Sequence, residues 1–337
     1  MHPPPLSGIF WLYGQGRLLL YKARPQESIE AYRRAIDSQS QYVSLHHMCI
    51  WEIAIANLSL VQIAESLECW RTLVADATWS KAVYTYGAAT CLIELVQHAS
   101  APRSSASSSG TSTPARRTLD QEREERDREA KAVMATVPGL MQRIAGKSIP
   151  MEKFAARKAL KYAAQGGRLL LPVFELGYVF LMYARAPRDV LIRVMLPRIE
   201  AAVQELKRCE GKQGEYMQEY KKRGAKNNGY WDDYALAQFL KGVCLRFVAF
   251  PVSITFPGFH RYRDYGRVGM ELATDMSVQD PVSTHANEPN PMPEAAEQAK
   301  TCFEAVLEHG PKIEIDHYLV YTSRTLFRGQ SYLTLRY

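Results

Sequence analysis

Leu12-Tyr13-Gly14-Gln15-Gly16-Arg17-Leu18-Leu19, followed by Ser28-Ile29-Glu30-Ala31-Tyr32-Arg33-Arg34-Ala35, is the stretch whose reading decides the fold. Leu12, Gly16 and Leu19 fall on one helical face, and Ser28, Tyr32 and Ala35 on the face of a second helix. Gly16 and Ser28 are small, so two helix backbones can approach closely where they cross. Tyr32 fills the groove beside that crossing, and Ala35 leaves room for the next pair. Arg24-Pro25 marks the turn, because proline is tolerated in the first turn of a helix and not in its interior. Near the other end, Ala299, Phe303, Val306 and Pro311 repeat the second half of this pattern.

The spacing is that of a tetratricopeptide-type repeat. One helix pair cannot bury its apolar stripe alone, so such pairs stack on their neighbours. The pattern predicts an all-α, right-handed superhelix of helix pairs, a solenoid whose surface holds other molecules. Gly87, Gly177 and Gly242 mark further crossings, and Gly16, Glu52 and Gly87 read as equivalent positions in three successive first helices.

Reading outward, residues 1–98 form N-terminal helical repeats, with Trp51, Ile55, Ala64, Leu67 and Trp70 supplying a periodic face. Ser80 reads as a helix cap. Residues 99–120 are rich in Ser, Thr and Pro and poor in large apolar residues, which predicts a disordered insertion. Central helical repeats follow over 121–270. They include a second helix from Val133 to Ile144, another from Leu171 to Ala184, an amphipathic one opened by Pro187, and an apolar one from Tyr230 to Phe250. Residues 271–293 read as a proline-bearing loop and 294–337 as a C-terminal repeat. Neither end shows the polar outer face of a capping repeat, which suggests a piece of a longer protein.

The 337 residues are 47% hydrophobic and 23% charged, a globular composition, and the net charge is +7. That charge permits attraction to anionic surfaces, and no nucleic-acid motif accompanies it. The six cysteines form no C-x-x-C pair, and most lie in apolar helical stretches, so they read as small hydrophobes in a reducing compartment. No segment reads as a signal peptide or a membrane span.

The chemistry-bearing candidates mostly have plainer readings. Gly146-Lys147-Ser148 lacks the glycine a phosphate loop needs, since Met141 stands there, and reads as a helix-to-helix turn ending at Pro150. His46, His47 and Cys49 are too close in sequence to converge on a zinc ion. Asp232 and Asp233 sit at a helix start, where negative charge is favoured. The basic run with Lys207, Arg208, Lys221, Lys222 and Arg223 reads as a solvated connection, with anionic-surface contact as its alternative. No catalytic residue, cofactor site or metal site is assigned.

Several strings resemble one family. They are His46–Glu52, Trp79–Tyr86, Gln142–Phe154, Tyr230–Tyr234 and Lys241–Arg246. Together they are similar to the family of the fungal inclusion-body-clearance protein, whose animal relatives are called tetratricopeptide repeat protein 39. The resemblance runs from about residue 9 to about residue 322, and the Ile144–Phe154 string is its most specific part. It implies a non-enzymatic factor that binds proteins, among them lipid-droplet proteins, in clearing protein inclusions. It also implies placement in the cytoplasm, the nucleus, or at the mitochondrial outer membrane or lipid droplets. A peripheral membrane or lipid-binding protein is the alternative, motivated by the apolar Leu169–Ala184 stretch and the basic run.

Overall fold

A computed structural model describes residues 8–98, 114–209, 229–250 and 292–334. The fold is all-α. Its first five helices are α1 (Ile9–Tyr21), α2 (Pro25–Asp37), α3 (Val43–Ser59), α4 (Ile63–Asp76) and α5 (Lys81–His98). Each packs on the one before it. In α1 the buried residues are Ile9, Leu12, Gly16 and Leu20, a helical spacing, while Leu19 is only half-buried. In α2 the buried face is Ser28, Ile29, Ala31, Tyr32 and Ala35 behind Pro25 at the first turn.

The crossing of α1 and α2 is fastened by the Ser28 hydroxyl, which donates to the Gly16 carbonyl at 2.7 Å. A β-carbon on Gly16 would come within 2.6 Å of the Tyr32 ring, so only glycine lets that ring lie flat on the backbone. The next pair repeats the bond: Ser66 Oγ donates to the Ala54 carbonyl at 3.0 Å, again across twelve residues. Ala54, and not Glu52, is therefore the counterpart of Gly16. Gly87 on α5 receives the Trp70 ring, but Trp70 belongs to the preceding helix α4, so this contact joins two pairs.

Beyond α5 the order of stacking changes. Helix α6 (Pro114–Thr136) packs on α5 and begins inside the stretch read as unstructured. Residues 99–113 lie outside the described residues. The helix expected over Val133–Ile144 is replaced by the end of α6, a 3-10 turn (Val137–Leu140) and a two-residue hairpin, in which Arg143 pairs with Ser148 and Ile144 with Lys147. Ala145 and Gly146 both have positive φ at its tip, as a tight hairpin turn requires, so Gly146 turns a hairpin and ends no helix.

Helix α7 (Pro150–Ala164) then returns to α5 instead of extending a stack in sequence order. The single helix expected over Leu171–Ala184 is two, α8 (Pro172–Val179) and α9 (Met182–Arg185), because Leu181 between them adopts a left-handed backbone conformation; Leu171, just before α8, does the same. Gly177 faces Met182 across this bend and marks no crossing between long helices. The bend seats Phe180 beside Trp51 and Trp70, with ring centroids 4.8 and 6.4 Å away, so it locks onto α3 and α4.

Nested packing resumes with α10 (Arg188–Val190), a π-helical turn (Leu191–Met195), α11 (Leu196–Arg208), α12 (Tyr230–Ala249), α13 (Pro293–Glu308) and α14 (Tyr318–Thr334). The Phe303 ring packs on Gly242 where α13 crosses α12, and Ala299 and Val306 are buried on the same face of α13. Both α5 and α12 are buried around most of their circumference, and both touch α8. They form the centre of the molecule. Most of the loop expected over 271–293, and the end of the central repeats beyond residue 250, lie outside the described residues.

Candidate binding cleft

Two buried polar systems and one apolar cleft stand out among the described residues. The first system joins α5, the hairpin and α7. Glu152 is fully buried; it accepts a hydrogen bond from Ser80 Oγ at 3.0 Å and one from the Gln142 backbone N–H at 2.6 Å. Ser80 thus spends its hydroxyl on a residue far along the chain and not on the cap expected of it. Trp79–Tyr86 and Gln142–Phe154, two strings that carry the family resemblance, meet at this bond.

The second system is ionic. Lys158 and Lys161, one helical turn apart on α7, reach the Asp316 carboxylate at 2.7 and 2.6 Å. Lys158 also pairs with Glu175 of α8, and Lys161 lies 3.5 Å from Asp233 of α12. The Tyr318 hydroxyl donates to Glu175. All five charged side chains are buried. Asp232 accepts the backbone N–H groups of Glu314, Ile315 and Asp316, at 3.2, 2.8 and 2.8 Å. The two aspartates therefore reach outside their own helix: one holds the segment before α14 and the other faces a lysine.

Burial alone would push the Asp316 pKa up, but Lys158 and Lys161 outweigh it and hold the group down at about 2. For Glu175 burial wins, aided by the nearby Asp316 charge and opposed by Lys158, so its pKa is raised. Each charge in this cluster meets a protein partner. It is a fastening.

The cleft lies where α1, α8, α9, α12 and α14 converge, with a volume of about 380 Å³. Its walls are apolar or aromatic: Tyr21, Tyr178, Tyr183, Val243, Phe247 and Leu326. Leu181, placed by the left-handed turn between α8 and α9, stands half-exposed at its edge. Two guanidinium groups complete the lining. Arg246 donates to the Leu326 carbonyl at 3.2 Å, and burial pulls its pKa below the usual value. Arg185 is 9% exposed and faces Glu52 at 3.5 Å through Nη1, while its Nε has no hydrogen-bond partner.

Glu52 is shared. Arg17 Nη1 binds its other oxygen at 2.9 Å, and Arg17 Nη2 donates to the Tyr21 hydroxyl at 2.9 Å. Burial disfavours the charge on Arg17, yet Glu52, Tyr13 and Tyr21 together outweigh it and the pKa is raised. Glu52 is thus the anion that pairs with Arg185 at the cleft and with Arg17 beside it. No motif announces this site, because its residues come from five separate helices.

Of the basic run, Lys207 and Arg208 are exposed at the end of α11, and Lys221, Lys222 and Arg223 lie outside the described residues. Most of the apolar Leu169–Ala184 stretch is buried, but Tyr178, Val179 and Phe180 are half-buried and Leu181 is exposed. Among the described residues, no helix is long and apolar enough to cross a membrane, and no three His, Cys, Asp or Glu side chains converge as metal ligands. Cys49, Cys91 and Cys244 are buried, and burial pushes their thiols up to about 12, away from the thiolate that reactive chemistry requires.

The family model Iml2/Tetratricopeptide repeat protein 39 matches residues 5–248. Among curated proteins, the chain is similar to tetratricopeptide repeat protein ttc-39B of Caenorhabditis elegans, with 28% identity over 242 residues, 71% of this chain and 34% of that protein. It thus spans about a third of the length of that relative. No solved structure matches. The family match covers well over half of the chain, which therefore belongs to the Iml2/tetratricopeptide repeat protein 39 family.

Proposed function

We propose that this chain is a non-catalytic scaffold that holds protein partners during the clearance of protein inclusions, in connection with lipid droplets and their proteins. The observation that carries the reading is the stack of helix pairs over residues 8–98 in a chain of a tetratricopeptide-type family, since such arrays commonly present extended binding surfaces. Large apolar side chains stand exposed on that stack, among them Phe10, Leu18, Val43 and Trp79. Partners in the cytoplasm, the nucleus, or at the mitochondrial outer membrane follow from the same resemblance. A peripheral contact with an anionic membrane surface is the second reading; the exposed Lys207 and Arg208 favour it, and the burial of most of the apolar stretch speaks against it.

Proximity labelling in the native cell tests the scaffold reading, using the intact protein against a helical-repeat control of the same size. The expected result is enrichment of inclusion and lipid-droplet proteins over the control. An identical labelled set from the two baits would overturn it.

A further inference from the structure

We propose that the cleft between α1, α9 and α12 binds a small carboxylate with an apolar body, a single-chain carboxylic acid in its anionic form. The inference goes beyond the scaffold reading and does not depend on it. Three observations carry it. A volume of about 380 Å³ lies in the range of small-molecule sites, which are mostly apolar with a few converging polar groups. The walls here are aromatic and aliphatic, as such a site requires.

The polar groups are cationic. Arg185 lines the cleft and holds the Glu52 carboxylate only in common with Arg17, which stands outside the lining. Arg246 adds a second guanidinium to the lining and donates to the Leu326 carbonyl. A buried charge of this kind is stabilised by an anion.

The geometry selects the kind of anion. Arg185 is nine-tenths buried, and its Nε, on the edge of the planar guanidinium, has no hydrogen-bond partner. The Nε edge of a guanidinium matches the two oxygens of a carboxylate in parallel hydrogen bonds. In the bound state the carboxylate accepts from Arg185, and the chain or ring lies among Tyr178, Tyr183, Val243 and Phe247. Leu181 marks the entrance.

Isothermal titration of the full chain with decanoate and with 1-decanol, which share a chain and differ in charge, tests this. Decanoate should bind at one site, at least tenfold tighter than 1-decanol. Arg185→Gln should erase that preference and Arg185→Lys should restore part of it, since lysine keeps the charge without the planar fork. Val243→Trp should abolish binding of both by filling the cleft. Leu181→Trp gives the same test at a half-exposed position, where folding is not at stake, with circular dichroism confirming the helix content of each variant. Absence of decanoate binding, equal affinity for decanoate and 1-decanol, or unchanged binding in Leu181→Trp would each overturn the proposal.

Discussion

The stack α1–α5 and the junction of α7, α8, α12 and α14 solve the same packing problem with opposite materials. In the stack, aromatic rings sit on small residues, Tyr32 on Gly16 and Trp70 on Gly87, and a serine hydroxyl ties each pair. In the junction, two lysines and three carboxylates are buried together. The apolar contacts are local, joining neighbours in sequence, while the ionic ones span up to 158 residues. Apolar packing is non-directional and tolerates many partners. Buried charges are costly unless each meets its own counterpart, so they specify a unique arrangement where sequence proximity cannot. The difference teaches that this molecule uses rings to build its array and ions to close it.

The largest effect should come from breaking the closure. Asp316→Ala strands Lys158 and Lys161 in the interior and should lower stability by about 3–5 kcal/mol, read as a fall in the urea midpoint. A smaller shift in the midpoint than that of Gly87→Ala would reverse the ranking of the two regions.

Acidification probes the same contrast more gently. The Asp316 pKa lies at about 2 against an ordinary 3.8, so its contribution, about 2 kcal/mol, is present above 3.8 and lost as pH falls toward 2. Glu175 runs the other way. Its folded pKa lies above its ordinary 4.5, so ionising it costs stability, and acidification through that raised value recovers the loss before Asp316 protonates. Stability measured by denaturant titration across pH should therefore rise and then fall on going from neutral to strongly acid. Glu175→Gln should flatten the upper limb alone.

Within the stack the effects are smaller. Gly87→Ala places a β-carbon 2.7 Å from the Trp70 ring and should cost about 1–3 kcal/mol, seen as a lower melting temperature. Ser66→Ala removes one hydroxyl bond to Ala54 and should cost about 1 kcal/mol. If Ser66→Ala outweighed Gly87→Ala, hydrogen bonding and not ring packing would set the order of the array.

The stack was legible in the sequence because its signals are close together and repeat. Gly16, Ser28 and Tyr32 lie in adjacent helices, and Gly242 with Phe303 follows the same rule. The errors arose where one residue type served two purposes. Glu52 reads as the equivalent of Gly16 because nothing nearby in sequence shows that Arg185 faces it from 133 residues away. Asp232 and Asp233 stand at a helix start, where acids are commonly found, so their long-range partners leave no local trace. The Leu171–Ala184 run has a helical composition throughout. Its break depends on Leu181, held in a left-handed conformation as Leu171 is before it, which propensity does not favour. The cleft inherits this opacity, since one of those leucines borders it.

Asp232 grips three consecutive amides of the Glu314–Asp316 segment, and Phe303 lies on Gly242. The last two helices thus hold to the body of the molecule by contacts that do not depend on covalent continuity. A protease cut anywhere between residues 250 and 292 should leave a single particle in solution, and two separately made polypeptides divided there should reassemble into it.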